Sequence, residues 1–420
     1  PVAMGDPGGD GAGPAALPRE AGASRLAGEQ SEYLAAGIPK ISVLMPVGND
    51  GGPLVNLACS LVEDVTVGLC RRRTFSVIAP YTAWHLSLSR EEVDAHGQFG
   101  IDYLVHTHVQ GFGAEALLYV KIVDARTRRI LWADEYQFGR MTSAARYKDL
   151  SLRIILTLAD RVEQFELARY EHDQDPKAYH CYLLGKQSLK TLDLAHVRRA
   201  RKAFRTALAI CPAFAPAMSG IAQTLHLEWL LLARGESELL QEAESVARQA
   251  VSTDAGDERG FRELGTCSLH AGHFDDCLSC FAEGEKLNPQ HADLLADYAN
   301  ALTHCGDTPN GLRKIERAIQ LNPLSPDYYY WTAGGAKYLF EDYSKAVDYL
   351  SRMQDQSPAY RLLAACWAMI GDTGKANDYA RKAMDLHPDF RIENWLSIVP
   401  LRNPQQRKHY AAGLKLAGFK

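Results

Sequence analysis

The tripeptide Leu-Asn-Pro occurs twice in the second half of the chain, and its two prolines, Pro289 and Pro323, lie 34 residues apart. Self-similarity at a fixed period of about 20 to 50 residues is typical of repeat proteins, in which each unit buries its apolar face against the next unit. This interval therefore constrains the second half of the chain to a stack of similar units.

Six segments of this half share one pattern of side-chain sizes. A small residue is followed four positions later by a bulky or small residue, and three positions after that by a further small or unbranched one. The copies are Ala200/Phe204/Ala207, Ala243/Ala247/Ala250, Cys277/Phe281/Gly284, Gly311/Ile315/Ala318, Ala346/Leu350/Met353 and Ala376/Ala380/Ala383, at steps of 43, 34, 34, 35 and 30 residues. Small residues allow two antiparallel helices of one unit to approach closely, and larger ones fill the gap to the next unit.

Turn residues recur at the helix ends of the same units. Proline ends the second helix of most copies and is tolerated near the start of the next helix. Gly272, Gly306 and Gly371 are predicted in the turns between the two helices of a unit. Paired helices at a 34-residue period are those of the tetratricopeptide repeat, so we predict an α-solenoid of about six such repeats over residues 176–395.

The first half of the chain has the pattern of a small α/β domain. Short apolar runs bounded by turn residues, or runs with alternating polarity, predict strands, and apolar residues at three- and four-residue steps predict helices. The predicted order is β-α-β-α-β-β-β over residues 39–142, with helices packed on a mixed sheet. The predicted segments are strand 40–48, helix 53–73, strand 75–80, helix 89–100 with Ser89 as N-cap, and strands 101–111, 116–125 and 129–138.

Three further segments flank or join these two domains. Residues 1–38 are rich in Gly, Ala and Pro and are predicted to be a flexible linker. Because the chain begins with Pro1 and a linker joins two parts, we expect a further domain to precede it. A long amphipathic helix over 143–175 is predicted to connect the domains, and residues 396–420 are predicted to form a C-terminal capping helix.

Composition narrows the class of protein. The net charge of -5 gives no basis for direct nucleic-acid contact, and no apolar run approaches the roughly 18–20 residues of a membrane helix. The nine cysteines lack paired spacing. We therefore expect a reduced, cytoplasmic protein with no membrane contact.

The segments "ISVLMPVGND", "FGIDYLVHTHVQ" and "LYVKIVDARTRRILWADEY" resemble the TolB-like (FlgO-type) α/β module, which in bacteria often precedes tetratricopeptide repeats. The final segment, "DFRIENWLSIVPLRNPQQRKHYAAGLKLAGF", resembles the end of the same proteins. The resemblance covers roughly residues 39–420. It departs from the family where "MPVGNDGG" replaces "PF.N.SGD" and where "HTHVQ" replaces "EGSVR".

This resemblance implies a regulatory region that binds a protein or peptide partner, or a small effector. Family members carry the region behind a winged-helix DNA-binding domain of a transcriptional activator or behind a class III adenylate cyclase domain. Neither domain has a counterpart in residues 1–38. Three functions stay open: the sensing region of a signalling or transcription protein, the regulatory half of a cyclase, and a free-standing adaptor. The end of the solenoid or the edge of the sheet also offers a surface for a homodimer.

Candidate small-ligand and charge motifs are weak. The strand, Gly-rich turn and helix over 43–58 have the geometry of a phosphate site but lack the nucleotide-binding fingerprints. Two runs are basic, 70–75 and 196–205. The arginines and lysine of 196–205 are predicted to spread over the exposed face of a helix, with phosphate binding as the alternative. Zinc-type ligands concentrate over 267–280, but Cys277 fills a small-residue position of the repeat; they are Cys267, His270, His273, Cys277 and Cys280.

Partner binding is predicted in the solenoid groove. First helices of tetratricopeptide repeats line the concave side, and Tyr and Trp anchor bound peptides well. The candidate partner-binding residues are Tyr298, Asn300, Tyr329 and Tyr338. We predict no catalytic residue, no cofactor and no metal, and therefore no enzyme activity of this chain.

Overall fold

The structure is a computed structural model that describes residues 36–46, 53–88, 94–112, 115–137, 144–170, 177–232 and 237–420. Five strands form one sheet in the order β2-β1-β3-β4-β5. They are β1 (Lys40–Val43), β2 (Ser76–Val77), β3 (Tyr103–Phe112), β4 (Glu115–Asp124) and β5 (Ile130–Gln137). β1 pairs in parallel with β2 and β3, whereas β3, β4 and β5 are antiparallel, so the sheet is mixed as predicted.

Alternation along β3 and β4 turns one face of the sheet toward a core. Two helices cover that face, α1 (Pro53–Arg71) and α4 (Ala144–Tyr170). Val105 and Val120 of the sheet pack there with Leu61 of α1 and Leu158 of α4, and all four side chains are buried. Since strand residues alternate between faces, the period-two pattern places every second side chain in this core.

Two short helices differ from the prediction. The second strand ends at Val77, and Pro80 begins helix α2 (Pro80–Leu88) instead of ending a strand. Proline suits a first helical position, where its missing N–H costs little. Helix α3 (Ala95–Phe99) begins after Asp94, whose carboxylate accepts the N–H of Gly97 at 2.8 Å. Ser89, the predicted N-cap, lies outside the described residues.

Paired helices make up the second half of the chain, as predicted. Each pair consists of a first and a second helix joined by a turn. Gly272, Gly306 and Gly371 lie in these turns with φ of 79°, 97° and 95°, a left-handed conformation that suits glycine. The pairs are α5 (Ala178–Ser188) with α6 (Leu194–Ile210), α7 (Ala215–Leu232) with α8 (Ser237–Thr253), α9 (Glu258–His270) with α10 (Phe274–Leu287), α11 (Ala292–His304) with α12 (Thr308–Leu321), α13 (Asp327–Leu339) with α14 (Tyr343–Leu350), and α15 (Tyr360–Ile370) with α16 (Thr373–Leu386).

The repeated size pattern lies on the second helices. Every one of its residues is buried, and all but Met353 fall within a second helix. Phe204 packs so closely on two glycines that a Cβ at Gly185 would come within 2.4 Å of its ring, and one at Gly220 within 2.7 Å. The small and large residues therefore set the spacing inside and between pairs, as predicted.

First helices form the inner layer of the stack. Neighbouring first helices pack on one another more extensively than neighbouring second helices do. In a curved stack the more tightly packed layer lies on the concave side. We call the solvent-facing side of this layer the inner face.

The C-terminal segment differs from a single capping helix over 396–420. It contains two helices, α17 (Ile392–Ile398) and α18 (Pro404–Leu416), because Pro400 and Pro404 interrupt the run. α18 packs on α15 and on α13, and the N–H of Arg402 donates to the carbonyl of His304 at 2.9 Å. The segment thus folds back along first helices of the stack.

Candidate functional site

Helix α4 joins the α/β domain to the inner layer of the solenoid. Its Leu152 is buried in a cluster with Leu295 of α11 and Tyr329 of α13. Further along α4, Glu163 and Glu166 reach α5, the first helix of the solenoid. α4 therefore lies across first helices and is an integral part of the packed structure.

Glu166 connects the sheet, α4 and the solenoid. Its carboxylate accepts the Tyr103 hydroxyl at 2.6 Å, lies 2.9 Å from His180 Nε2 on α5, and accepts Arg169 Nη1 at 3.1 Å. Glu166 is 2% exposed. Burial alone would raise the pKa of Glu166, but the hydrogen bonds from His180 and Tyr103 and the charge of Arg169 hold it below the usual value. The carboxylate is thus ionised and paired inside the domain interface.

A second group of charges lies beside it. Lys186 of α5 donates to Glu163 at 2.8 Å, and Arg72 approaches the other oxygen of Glu163 at 4.0 Å. Arg73 pairs with Asp254, which precedes α9, through Nε at 2.9 Å and Nη2 at 2.6 Å. Two arginines of the basic run 70–75, Arg72 and Arg73, therefore pair with α4 and with the solenoid.

The basic run 196–205 agrees in part with its prediction. Arg198 and Arg205 are exposed and pair with Glu228 and Glu242 at 2.6 and 3.4 Å. Arg201 differs, since its side chain is 12% exposed and reaches Glu228 at 2.7 Å. The run consequently serves contacts between neighbouring helix pairs.

Two of the predicted partner-binding residues are inside the protein. Tyr329 is 0% exposed and donates its hydroxyl to Asp293 at 2.7 Å. Tyr338 is 1% exposed and packs under α18, with its ring 5.5 Å from that of Tyr410. The expectation that both line an open groove is corrected, because each side chain faces a neighbouring helix and presents no surface to a partner.

The other two predicted residues are half-buried on different sides of α11. Tyr298 faces α10, where its ring stacks on Phe281 at 5.4 Å and Lys314 lies over it. Asn300 lies one turn after Asp297 on the side that meets α9. The structure therefore does not bring the four residues together, and partner binding by Tyr298 or Asn300 stays a prediction.

Three rings from neighbouring first helices stack at another part of the inner layer. We call them the ring patch: His226 and Trp229 on α7, and His270 on α9. The ring centroids of His226 and His270 are 5.1 Å apart, and those of Trp229 and His270 are 4.9 Å apart. His226 is 8% exposed, and the other two are half-buried. Among the described residues, neither His226 Nε2 nor His270 Nδ1 has a hydrogen-bond partner.

Burial removes charge from the ring patch. It lowers the pKa of His226 to about 4, and the neighbouring charge of Arg262 acts in the same direction. Burial likewise holds the pKa of His270 well below its usual value, with His226 and His304 adding to the effect. Both imidazoles are therefore neutral at physiological pH and offer hydrogen bonding without charge.

Polar side chains border the ring patch on α9 and α11. Arg262 donates to Asp297 at 2.6 Å, which links the two first helices. Glu263, the residue after Arg262, is 4% exposed, and burial raises its pKa to about 8. Glu263 is therefore mostly protonated at neutral pH, so this border carries less charge than its sequence indicates.

The cysteine and histidine residues of 267–280 do not converge. Cys267 and Cys277 are buried in different apolar clusters, and His270 belongs to the ring patch. Within the part of the chain that the structure describes, no three His, Cys, Asp or Glu side chains are arranged to hold a metal ion.

Two other sequence features concern a phosphate site and a membrane span. The Gly-rich turn of 43–58 lies outside the described residues, which stop at 46 and resume at 53. Among the helices described, none combines the length and the apolar character needed to span a bilayer.

The ring patch was not predicted from the sequence, and the repeat interval relates only one of its residues, His270, to an equivalent position. His270 and His304 lie 34 residues apart, as do Glu263 and Asp297. Residues at the repeat interval occupy equivalent places on successive first helices. The interval therefore predicts that His270 and His304 share one face, but it gives no signal for His226 or Trp229.

No protein-family model and no curated protein matches the chain. Solved structures that match include pilF of Pseudomonas aeruginosa, at 16% identity over 49% of this chain and 91% of that one, with a TM-score of 0.36. The APC/C heterotetramer Cut9–Hcn1 matches at 15% identity over 64% and 49%, with a TM-score of 0.45. The type IV pilus biogenesis factor PilW matches at 20% identity over 47% and 92%, with a TM-score of 0.36. At these values the likeness carries no argument about function.

Proposed function

We propose that the chain is a regulatory protein-interaction region that binds an extended segment of a protein partner at the ring patch. The observation that carries this proposal is the stack of three rings on neighbouring first helices, in which Trp229 and His270 are half-buried and keep accessible surface. Aromatic side chains that bury area and keep a polar tip are good anchors for a bound peptide.

The chemistry of the ring patch selects the kind of segment. Neutral imidazoles accept from or donate to an amide or a hydroxyl group, and the indole of Trp229 offers an aromatic face for stacking. An extended peptide carries amide groups at each residue and side chains at regular intervals. The segment that fits best is therefore uncharged at this point, with an amide or hydroxyl group beside an aromatic or aliphatic side chain.

We further propose that partner binding here controls an effector. The order of an α/β domain followed by paired helices, and the resemblance to TolB-like modules, favour the regulatory region of a bacterial winged-helix transcription regulator. The regulatory half of a class III adenylate cyclase is the alternative. Reading the open frame upstream of Pro1 separates these two from a free-standing adaptor.

The interaction is tested by capture from a lysate of the source cell, with the full 420-residue chain as bait. Trp229→Ala removes the aromatic face of the ring patch. Trp84→Ala is the matched control, because Trp84 is an exposed tryptophan on α2 of the α/β domain. We expect a protein that the wild type and Trp84→Ala retain and that Trp229→Ala loses, with thermal unfolding of both variants unchanged.

Capture that survives Trp229→Ala would contradict the proposal. A finer variant separates stacking from hydrogen bonding. His270→Phe keeps an aromatic ring and removes both nitrogens, so binding to the captured protein should weaken about 2- to 10-fold, the equivalent of one hydrogen bond.

A further inference from the structure

Cys277 and Cys305 lie opposite one another in the interface between α10 and α11. The two helices are antiparallel, and their register is fixed by Phe281, which stacks on Tyr298 at 5.4 Å. One turn back along α10 from Phe281 is Cys277, and two turns forward along α11 from Tyr298 is Cys305. Both cysteines belong to the same apolar cluster as that ring pair.

Cys305 packs against the apolar cluster in which Cys277 is buried. A disulfide requires two cysteine side chains that face each other at short range. Cys280, only three residues along α10, packs instead with Ala247 of α8 and Leu264 of α9. Of the two neighbouring cysteines on α10, Cys277 is therefore the one that faces Cys305.

The two thiols differ in exposure and acidity. Cys277 is 0% exposed, whereas Cys305 is half-buried and reaches solvent. The neighbouring Cys277 thiol, with the charge of Arg402, lowers the pKa of Cys305, and the neighbouring Cys305 thiol, with burial, raises the pKa of Cys277. Cys305 is the nucleophile because it is the thiol of the two that solvent reaches.

We propose that Cys277 and Cys305 are a redox-active dithiol, which a hydroperoxide oxidises to an intramolecular disulfide. The Cys305 thiolate attacks one peroxide oxygen and forms an S–O bond, the O–O bond breaks, and the leaving oxygen takes a proton. The Cys277 sulfur then attacks the sulfenic acid of Cys305, which releases water as the S–S bond forms. The two thiols lose two electrons and two protons, and the peroxide is reduced by two electrons.

The fold accommodates the variants that test this. Alanine stands at the position of Cys277 in four of the other copies, namely Ala200, Ala243, Ala346 and Ala376. Cys277→Ala therefore keeps a side chain that the packing accepts. Cys280→Ala is the matched control on the same helix, and Cys305→Ser removes the nucleophile.

The experiment treats the full chain with hydrogen peroxide, blocks remaining thiols by alkylation, and identifies tryptic peptides by mass spectrometry. The expected product joins peptide 263–286 to peptide 287–313 and is two hydrogens lighter than their sum. Because the first peptide also holds Cys267 and Cys280, fragmentation must place the bond on Cys277. Cys280→Ala should keep the product, and a reductant should reverse it.

Four results bear on the proposal. The product should be absent from Cys277→Ala and from Cys305→Ser, while Cys277→Ala should accumulate a sulfenic acid on Cys305 that a dimedone probe labels. A bond between Cys280 and Cys305 would overturn the assignment of the pair. Cys305 that remains fully alkylatable after peroxide treatment of the folded wild type would overturn the dithiol itself.

Discussion

Replacing Glu166 by glutamine is expected to loosen the α/β domain from the solenoid. The wild-type carboxylate receives the Tyr103 hydroxyl at 2.6 Å and Arg169 at 3.1 Å, and it contacts His180 at 2.9 Å. Glutamine keeps the size of the side chain and one carbonyl oxygen. It loses the charge and one acceptor oxygen. Its amide NH2 group is a hydrogen-bond donor and would face groups that also donate, such as the Tyr103 hydroxyl.

The size of the effect follows from burial. Hydrogen bonds to a charged group contribute about 1.5–3 kcal/mol each, and removing one partner of a buried ionic group costs about 3–5 kcal/mol. Because glutamine keeps one acceptor, we expect a loss of about 3 kcal/mol in the free energy of unfolding. Asp160→Asn is the matched control on the same helix, since Asp160 is exposed and the loss should stay within about 0.5 kcal/mol.

Urea unfolding followed by fluorescence and circular dichroism measures the difference. We expect Glu166→Gln to lower the midpoint, and the α/β domain to unfold before the solenoid. Tyr103→Phe and the double variant complete a cycle, which should show a coupling energy of about 1 kcal/mol or more between the two residues. Identical midpoints for Glu166→Gln and Asp160→Asn would refute the role of Glu166 in the interface.

Three further outcomes are expected. Gly334→Ala should destabilise the protein by about 1–3 kcal/mol, because the new Cβ would lie 2.6 Å from Leu350. Gly335→Ala should stabilise the helix by up to about 1 kcal/mol, because no atom lies nearer than 4.0 Å to its new Cβ. Thermal unfolding of both variants measures the difference. Acid should weaken the domain interface, because the pKa of Glu166 is lowered in the folded protein. Its stabilisation is present above the ordinary pKa of 4.5 and is lost as pH falls through the pKa of the folded state. At such low pH the urea midpoints of wild type and Glu166→Gln should converge. The buried Glu263 has the opposite pH dependence, because its pKa is raised to about 8. Its contribution to the free energy of unfolding is present below pH 4.5 and is lost as pH rises to 8, by at most about 1.4 kcal/mol per pH unit. Glu263→Gln should remove this loss of stability.

The repeat architecture was predictable because it depends on local rules. Ala243, Phe281 and their equivalents recur at an interval that only stacking units require, and the structure buries every one of them. The strands of the sheet were predictable for a similar reason, since side chains alternate between the two faces over 103–110 of β3 and 116–124 of β4. A pattern that recurs several times along the chain is stronger evidence for a structure than a pattern that occurs once.

The docking of the two domains was not predictable from the same patterns. Arg73 and Asp254 are separated by 181 positions in the chain, and nothing in either local sequence indicates the other. In the sequence, Glu166 is one of several acidic residues on an amphipathic helix. In the structure it is buried between Tyr103 and His180. Such contacts depend on the relative placement of whole domains. A run of charged residues has the same sequence pattern whether it faces water or another domain.

The candidate groove residues show the same limit within one helix. Residue type alone indicates Tyr298 and Tyr338 as groove residues, but both side chains face neighbouring helices. The side of a helix that faces the groove is set by its packing on the helices before and after it. His226 and His270 form a pair because α7 and α9 pack side by side.

The most direct test of the proposed function is hydrogen exchange of the chain alone and with saturating captured partner. The account predicts added protection concentrated on first helices around Trp229, His270 and His304, because bound peptide would cover this part of the inner layer. Unchanged exchange at those helices, with new protection on the second helices or on the α/β domain, would contradict it.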